Sequence, residues 1–189
     1  MLAYHGLLLV IGSGLALAGL LGARAPDGPF GLYAYGSGIG GAPVFYSQDM
    51  AFIGDQTQIG DEEAARVIFT AGPNNSLFSN PADSASKSWA NKAFFIPSRT
   101  SKSHHVGFTN TDTPEPDADI DTSGFIFYGA TALHQGGPDN DLQGLWYAVP
   151  TTQSKRVWAL QWNATDDDGL AKDDKIAVTL RTVAPARPF

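Results

Sequence analysis

The sequence predicts an all-β protein, an antiparallel β-sandwich or distorted barrel of about ten short strands. Ten short runs of aromatic and β-branched residues recur along the chain. Gly, Pro, Asn, Asp or Ser separates most of these runs, and these residues favour turns. No window of eleven or more residues carries a helical apolar stripe. Short strands without intervening helices favour antiparallel pairing over a parallel α/β sheet.

The predicted strands differ in how clearly apolar and polar residues alternate. In chain order they are residues 30–35, 44–46, 50–53, 66–70, 93–96, 106–109, 125–128, 145–148, 157–162 and 176–181. Alternation places Trp158, Leu160 and Trp162 on one face of a strand, with Gln161 pointing away. The last run alternates in the same way. We therefore expect these two strands to contribute one face each to a hydrophobic core.

Three segments between the runs predict turns or loops. Residues 36–41 match the G-x-G-x-x-G pattern of dinucleotide-binding loops. That pattern needs a helix after it, whereas a predicted strand follows here, so a glycine hairpin is expected. Residues 74–92 are rich in Ser, Asn, Pro and Ala, and residues 110–124 are acidic and contain proline. Both are expected to be exposed connections within one domain.

Residues 1–25 predict a signal peptide and an extracellular or cell-wall location. Residues 7–21 are almost entirely apolar, and Ala23-Arg24-Ala25 matches the small-x-small pattern of a cleavage site. The apolar run is shorter than the ~20 residues that span a bilayer. No Lys or Arg precedes it, so an uncleaved membrane anchor is the alternative. Cleavage leaves residues 26–189 as a single β domain of 164 residues.

The composition of the predicted domain excludes several classes of partner. It holds 11 Lys and Arg against 19 Asp and Glu, a formal charge of −8. This acidic balance disfavours nucleic acid and, after processing, a membrane surface. The chain has no cysteine, so its stability must come from packing, not from disulfides. Nothing in the sequence indicates an oligomeric state.

No catalytic residue is assigned from the sequence. Residues 26–189 contain no G-x-S-x-G motif, and H-E-x-x-H is also missing. The histidines of this part, His104, His105 and His134, lack the spacing of metal ligands and are expected at the surface. Aspartates and glutamates could supply an acid and a base, but their spacing favours no pair. Whether the protein is an enzyme is left open, with a non-catalytic role favoured.

One segment combines polar groups and aromatic rings in the way that sugar-binding sites do. Asp139, Asn140 and Asp141 end a glycine-containing loop, and Trp146 and Tyr147 follow in a predicted strand. Hydroxyl partners next to a ring platform suit a glycan. The two aspartates are also candidate calcium ligands, the one cofactor that we consider. The alternative is that Trp146 belongs to the core and the loop is an ordinary turn.

Two sequons predict glycosylation. Asn74-Asn75-Ser76 lies in a predicted loop, and Asn163-Ala164-Thr165 follows a predicted strand. Because both asparagines are expected to reach solvent, an exported chain is expected to be a glycoprotein at Asn74 and Asn163.

Four segments carry a resemblance to known proteins: residues 31–46, 51–55, 144–151 and 178–185. They resemble a group of small secreted proteins of filamentous ascomycetes, and the likeness extends over nearly all of residues 26–189. The resemblance implies a fungal, secreted, single-domain protein. It implies no activity and assigns no functional residue.

Three functions remain as hypotheses. The favoured one is a secreted, non-catalytic extracellular or cell-wall-associated protein that binds a glycan. The second is a small secreted glycan-active enzyme that uses a carboxylate pair. The third is an effector-like protein that binds a host protein.

Overall fold

The computed structural model describes residues 25–111, 119–136, 139–152, 154–164 and 174–187. These residues form fourteen strands and three short 3₁₀ turns. The strands are β1 (Tyr33–Gly36), β2 (Ile39–Ser47), β3 (Met50–Gly54), β4 (Ala65–Ala71), β5 (Leu77–Pro81), β6 (Lys92–Pro97), β7 (Gly107–Asn110), β8 (Ile120–Asp121), β9 (Phe125–Tyr128), β10 (Thr131–Gly136), β11 (Asp141–Gln143), β12 (Trp146–Pro150), β13 (Val157–Trp162) and β14 (Ile176–Arg181). Apart from Ala25, the predicted signal peptide lies outside the described residues.

The strands form a closed antiparallel barrel. Ten of them pair in the order β1-β2-β4-β5-β6-β7-β3-β13-β12-β14, and β14 pairs with β1 to close the ring. The β2–β3 hairpin adds a pairing across this ring. Outside the ring, β8 pairs with β6, β10 extends β14, and both β9 and β11 pair with β10. The predicted all-β class, a sandwich or distorted barrel, is confirmed.

The barrel encloses an aromatic core. The largest fully buried side chains include seven aromatic residues: Phe69, Phe94, Phe108, Phe125, Phe127 and Trp146 in the main core, and Phe45 in a second, smaller cluster. The predicted alternation in β14 is confirmed, because Val178 and Leu180 are buried while Thr179 is exposed. Burial of large rings supplies the packing that a chain without cysteine needs.

The predicted hairpin at residues 36–41 is confirmed. β1 ends at Gly36, β2 begins at Ile39, and Ser37 and Gly38 form the turn between them. Gly38 has a φ of +71°, a left-handed conformation that glycine adopts without strain. β2 therefore takes the place of the helix that a dinucleotide site would need after this motif.

The predicted loop over residues 74–92 is wrong in part. It contains β5, whose residues alternate between buried and partly buried positions. Trp89 is also buried, where it stacks on Tyr46 with ring centroids 4.2 Å apart. Ser79, which no apolar pattern marks, is a fully buried residue of β5. In the second predicted loop, β8 occupies residues 120–121, while residues 112–118 lie outside the described part.

The predicted face of β13 is confirmed in part. Leu160 and Trp162 are buried, and Trp158 is partly buried against the same core. Gln161, predicted to point away from that face, is only 8% exposed. The segment before β7 lies beside this part of β13, where His105 forms a β-bridge to Gln161.

Candidate functional site

A polar cleft of about 460 Å³ lies between the loop after β6 and the β10–β11 hairpin. Its ionisable lining residues are Arg99, His104, Asp121, His134, Asp139 and Asp141. Ser98, Ser101, Ser103, Gln143 and Asn163 add neutral polar groups, and Ile96, Pro97, Leu145 and Trp162 add apolar surface. A concave surface that combines several polar groups with a small apolar area is the usual form of a small-molecule site.

Strand pairing brings the walls of this cleft together. β8 pairs with β6, which places Asp121 opposite Ile96. Gly136 pairs with Asp141 where the β10–β11 hairpin begins. On the remaining side, the backbone N–H of Asn163 donates to the carbonyl of Leu145 over 2.8 Å. Residues from five strands and four connecting segments therefore meet in one cleft.

The predicted polar loop forms one rim of the cleft. Asp139 and Asp141 line it, and both are exposed. Asn140 lies between them with a φ of +56°, and its carbonyl accepts a bond from the Gln135 amide over 3.3 Å. This left-handed turn is a conformation that Asn tolerates better than most residues. The structure thus brings two of the predicted polar residues to the cleft.

The structure does not bring the predicted ring platform to the cleft. Trp146 is only 2% exposed, and its indole N–H donates to the carbonyl of Ala132 over 3.0 Å. Tyr147 lies on the opposite face of β12, where the Lys175 ammonium sits 5.6 Å from its ring centroid. Trp146 therefore belongs to the core, which is the second of the two alternatives drawn from the sequence. The aromatic lining residue is Trp162, which packs edge-to-face on Trp146 at 4.6 Å.

His134 is a lining residue that the sequence did not indicate. The expectation that it lies at the surface is wrong, because it is only 6% exposed. Its Nε2 lies 3.0 Å from the carbonyl of Ser123. A carbonyl oxygen only accepts, so Nε2 carries the proton and, in the neutral ring, Nδ1 is the acceptor. Burial lowers the pKa of His134 below its ordinary value, although the nearby Asp121 carboxylate opposes this effect.

Two glycines leave room for the imidazole of His134. A Cβ on Gly136 would lie 2.7 Å from its Cε1, and a Cβ on Gly124 would lie 3.0 Å from its Nε2. Gly124 also has a φ of +83°. Glycine at both positions therefore lets a bulky buried ring sit beside the β10 backbone. These glycines flank His134 in space and are the only sequence signal that could have indicated it.

The other two histidines lie at or near the surface, as predicted. The Nδ1 of His104 lies 3.0 Å from the carbonyl of Trp162, and the Trp162 N–H donates to the carbonyl of His104 over 2.9 Å. This pair of bonds joins the loop after β6 to the end of β13. His105 is exposed, and burial of its ring together with the neighbouring His104 lowers its pKa.

A second groove, of about 610 Å³ and more open, lies elsewhere on the surface. Arg66, Arg156 and Asp55 are among its lining residues. The Asp55 carboxylate accepts a bond from the Thr57 hydroxyl over 2.7 Å, and this bond lowers the pKa of Asp55. The Arg156 guanidinium lies 4.0 Å from the same carboxylate. Because Asp55 already bonds to protein groups, this groove has less to offer a ligand than the polar cleft.

Among the described residues, no three His, Asp or Glu side chains lie so that they could hold a metal ion together. The calcium site suggested for Asp139 and Asp141 stays a prediction. Nor does any helix in the described ranges have the length and apolar character to cross a membrane.

The two predicted glycosylation sites are both exposed. Asn74 lies in a 3₁₀ turn between β4 and β5, with a φ of +55°. Asn163 directly follows β13 and lines the cleft. A glycan on Asn163 would therefore stand at the entrance of the polar cleft, whereas Asn74 is not among the residues of its lining.

The fold and the cleft define an all-β barrel protein with a polar, carboxylate-containing cleft. The chain matches no protein-family model, and no curated protein or solved structure is significantly similar to it.

Proposed function

We propose that this is a secreted, non-catalytic protein of the extracellular space or cell wall, and that its polar cleft binds a glycan. The observation that carries the proposal is the cleft itself. Carboxylates and amides surround a short apolar strip in a volume of about 460 Å³. Cavities that bind small ligands commonly start at ~300 Å³, so a cleft of this size suits one or two sugar rings.

The chemistry of the lining supports a sugar ligand. Sugar hydroxyls both donate and accept, and carboxylates and side-chain amides are their common partners. Asp139, Asp141 and Gln143 present such groups, as does Asn163 where it carries no glycan. The apolar face of a pyranose ring also needs an apolar surface, which Trp162 and its apolar neighbours supply. This arrangement replaces the ring platform predicted from Trp146 and Tyr147.

The proposed location rests on the sequence. An apolar leader of the length and ending of a signal peptide precedes the domain. The resemblance to small secreted fungal proteins points the same way. An acidic surface with a formal charge of −8 after processing suits a soluble protein that does not associate with anionic polymers.

A glycan array tests this proposal. The full chain is produced in a eukaryotic secretory host, and the secreted product is screened on the array. Hits are then measured by calorimetry. We expect the Asp139→Ala/Asp141→Ala variant to lose most of the affinity while keeping its melting temperature, because both residues are exposed.

The matched control is Glu62→Ala/Asp83→Ala. It removes the same charge from two exposed residues that do not line the cleft. Equal binding by the wild type and the Asp139/Asp141 variant would place the site elsewhere. If no glycan binds the secreted protein, glycan binding is the wrong function.

A glycan-active enzyme is the second candidate, and one observation favours it. Asp121, Asp139 and Asp141 all line the same cleft, and glycosidases use two carboxyl groups that flank the scissile bond. Reducing ends released from a panel of polysaccharides would support it, provided that Asp121→Asn abolishes the release. Binding without release in the same panel supports the non-catalytic function.

A further inference from the structure

The charges of the polar cleft are unequal. Three carboxylates line it, those of Asp121, Asp139 and Asp141, against one guanidinium, that of Arg99. Arg99, Asp139 and Asp141 are all exposed, so water screens the charge of each of them. Two carboxylates are close neighbours in sequence on the opposite rim, and the third belongs to β8. A ligand in the cleft therefore meets a net negative field, which the acidic protein as a whole reinforces.

His134 does not offset the negative charge of the cleft. Its ring is 6% exposed and lines the cleft. Nε2 donates to the Ser123 carbonyl, so the neutral ring turns an acceptor, Nδ1, to its other side. Desolvation lowers the pKa of His134, which favours this neutral form. The imidazole is buried and one of its nitrogens bonds to the backbone. Its position in the site is therefore fixed, in contrast to that of the exposed aspartates.

The lining thus carries more negative than positive charge. A ligand that suits it carries positive charge, donates hydrogen bonds and has an apolar face for Trp162. A polyamine has the charge but not the apolar ring face, and a neutral sugar has the face but not the charge. An amino sugar with a protonated amine has both.

We infer that the cleft binds oligosaccharides of protonated amino sugars, in which an ammonium group lies beside Asp139 and Asp141. This inference rests on the proposed glycan binding and names its ligand class. N-acetylation of the sugar removes the ammonium charge, and replacing the sugar by a uronic acid reverses it. Affinity is expected to fall in that order.

Calorimetry with three ligands tests the inference. Glucosamine, N-acetylglucosamine and galacturonic acid oligomers of matched length are titrated into the secreted full-length protein at mildly acidic pH. We expect the glucosamine oligomer to bind about tenfold more tightly than the acetylated one, and the uronic acid oligomer not to bind. Raising the salt concentration should weaken only the binding of the cationic ligand.

Isosteric variants separate charge from shape. Asp139→Asn/Asp141→Asn keeps the size of both side chains and is expected to weaken glucosamine binding by about 2- to 30-fold. The same variant should weaken any binding of the acetylated oligomer less, because Asn keeps an acceptor oxygen for a sugar hydroxyl. The control, Glu62→Gln/Asp83→Asn, makes the same change in charge at exposed residues outside the cleft lining. It should bind like the wild type.

The outcomes distinguish the two levels of the proposal. Tighter binding of the acetylated or the acidic oligomer overturns the amino-sugar inference but agrees with the proposed glycan binding. Binding of spermidine as tight as that of the glucosamine oligomer also overturns it, because charge alone would then explain the affinity. If neither these oligomers nor any array glycan binds, both the inference and the proposed function fail. An unchanged affinity in the Asn variant, with salt dependence retained, would show that the ammonium group does not bind at these aspartates.

Discussion

Trp146 gives the sharpest test of how the barrel and the cleft relate. The side chain is 2% exposed and packs on Trp162 at 4.6 Å and on Phe94 at 6.3 Å. Its indole N–H donates to the carbonyl of Ala132. The perturbation is Trp146→Ala, with Trp146→Phe as the conservative variant and Trp158→Ala as a partly buried tryptophan from the neighbouring strand.

The expected magnitudes follow from these contacts. Truncation of a fully buried aromatic residue costs about 3–5 kcal/mol. For a domain of this size each kcal/mol lowers the melting temperature by about 2–4 °C, so Trp146→Ala should lower it by about 6–20 °C. Trp146→Phe keeps most of the ring volume but loses the bond to Ala132, at a cost of about 1–2 kcal/mol. Trp158→Ala should cost less than Trp146→Ala because the ring is only partly buried.

Differential scanning calorimetry of the secreted proteins measures these values, and circular dichroism confirms that each variant folds. A ligand titration of Trp146→Phe completes the set, and its affinity should equal that of the wild type because the cleft lining does not include Trp146. An unchanged melting temperature in Trp146→Ala would refute its place in the core. A lost affinity in a stable Trp146→Phe would show that the ring contacts the ligand.

Three further predictions concern pH and glycosylation. Burial raises the pKa of Tyr46 from 10.0 to about 12, so the unfolded chain releases this proton first. Stability should fall by up to about 1.4 kcal/mol per pH unit over that interval, and Tyr46→Phe should remove the slope in alkaline urea melts. Burial lowers the pKa of His134 below 6.5, so stability should fall as the pH drops below that value. His105, whose pKa is also lowered, contributes a slope of its own, so a slope as steep in His134→Gln as in the wild type would contradict this. Ser76→Ala removes the Asn74 sequon but keeps the asparagine that the left-handed turn favours, and mass spectrometry should show the loss of one glycan without a change in melting temperature.

Much of the fold could be predicted because most strands have an apolar side. Each of the ten predicted runs overlaps an observed strand. The strands missing from the prediction, β5, β8, β10 and β11, place small or polar residues where an apolar pattern is expected. Ser79 of β5 and His134 of β10 are buried, and Leu142 of β11 is 47% exposed. These strands exist because neighbouring strands pair with them, and pairing between distant segments leaves no local pattern.

Only one rim of the cleft could be predicted from the sequence, because its residues come from a single short segment. Asp139 and Asp141 follow a glycine-containing turn and are close together in sequence. Trp146 and Tyr147 are consecutive in a strand, so they face opposite sides and cannot form one platform. Asp121 and Trp162 reach the cleft through barrel closure and strand pairing. No spacing in the sequence connects residues that the topology brings together from opposite walls.

The wall formed by Trp162 and His134 belongs to the core as much as to the cleft. Five rings contact one another in a closed circuit: Phe94, Trp146, Trp162, His134 and Phe125. Two of them also line the cleft. The position of each lining ring is therefore fixed by core packing, so these rings need little reordering when a ligand binds.

This sharing predicts which variants lose stability together with affinity. Trp162→Ala opens the circuit and should cost about 3–5 kcal/mol of stability as well as the affinity of the cleft. The exposed Asp139 and Asp141 should change affinity with at most about 0.5 kcal/mol of stability. Calorimetric unfolding and ligand titration of both variants separate the two effects. A Trp162→Ala protein that binds normally would show that the ligand bypasses this wall. A Trp162→Ala protein as stable as the wild type would show that the ring circuit is not part of the core.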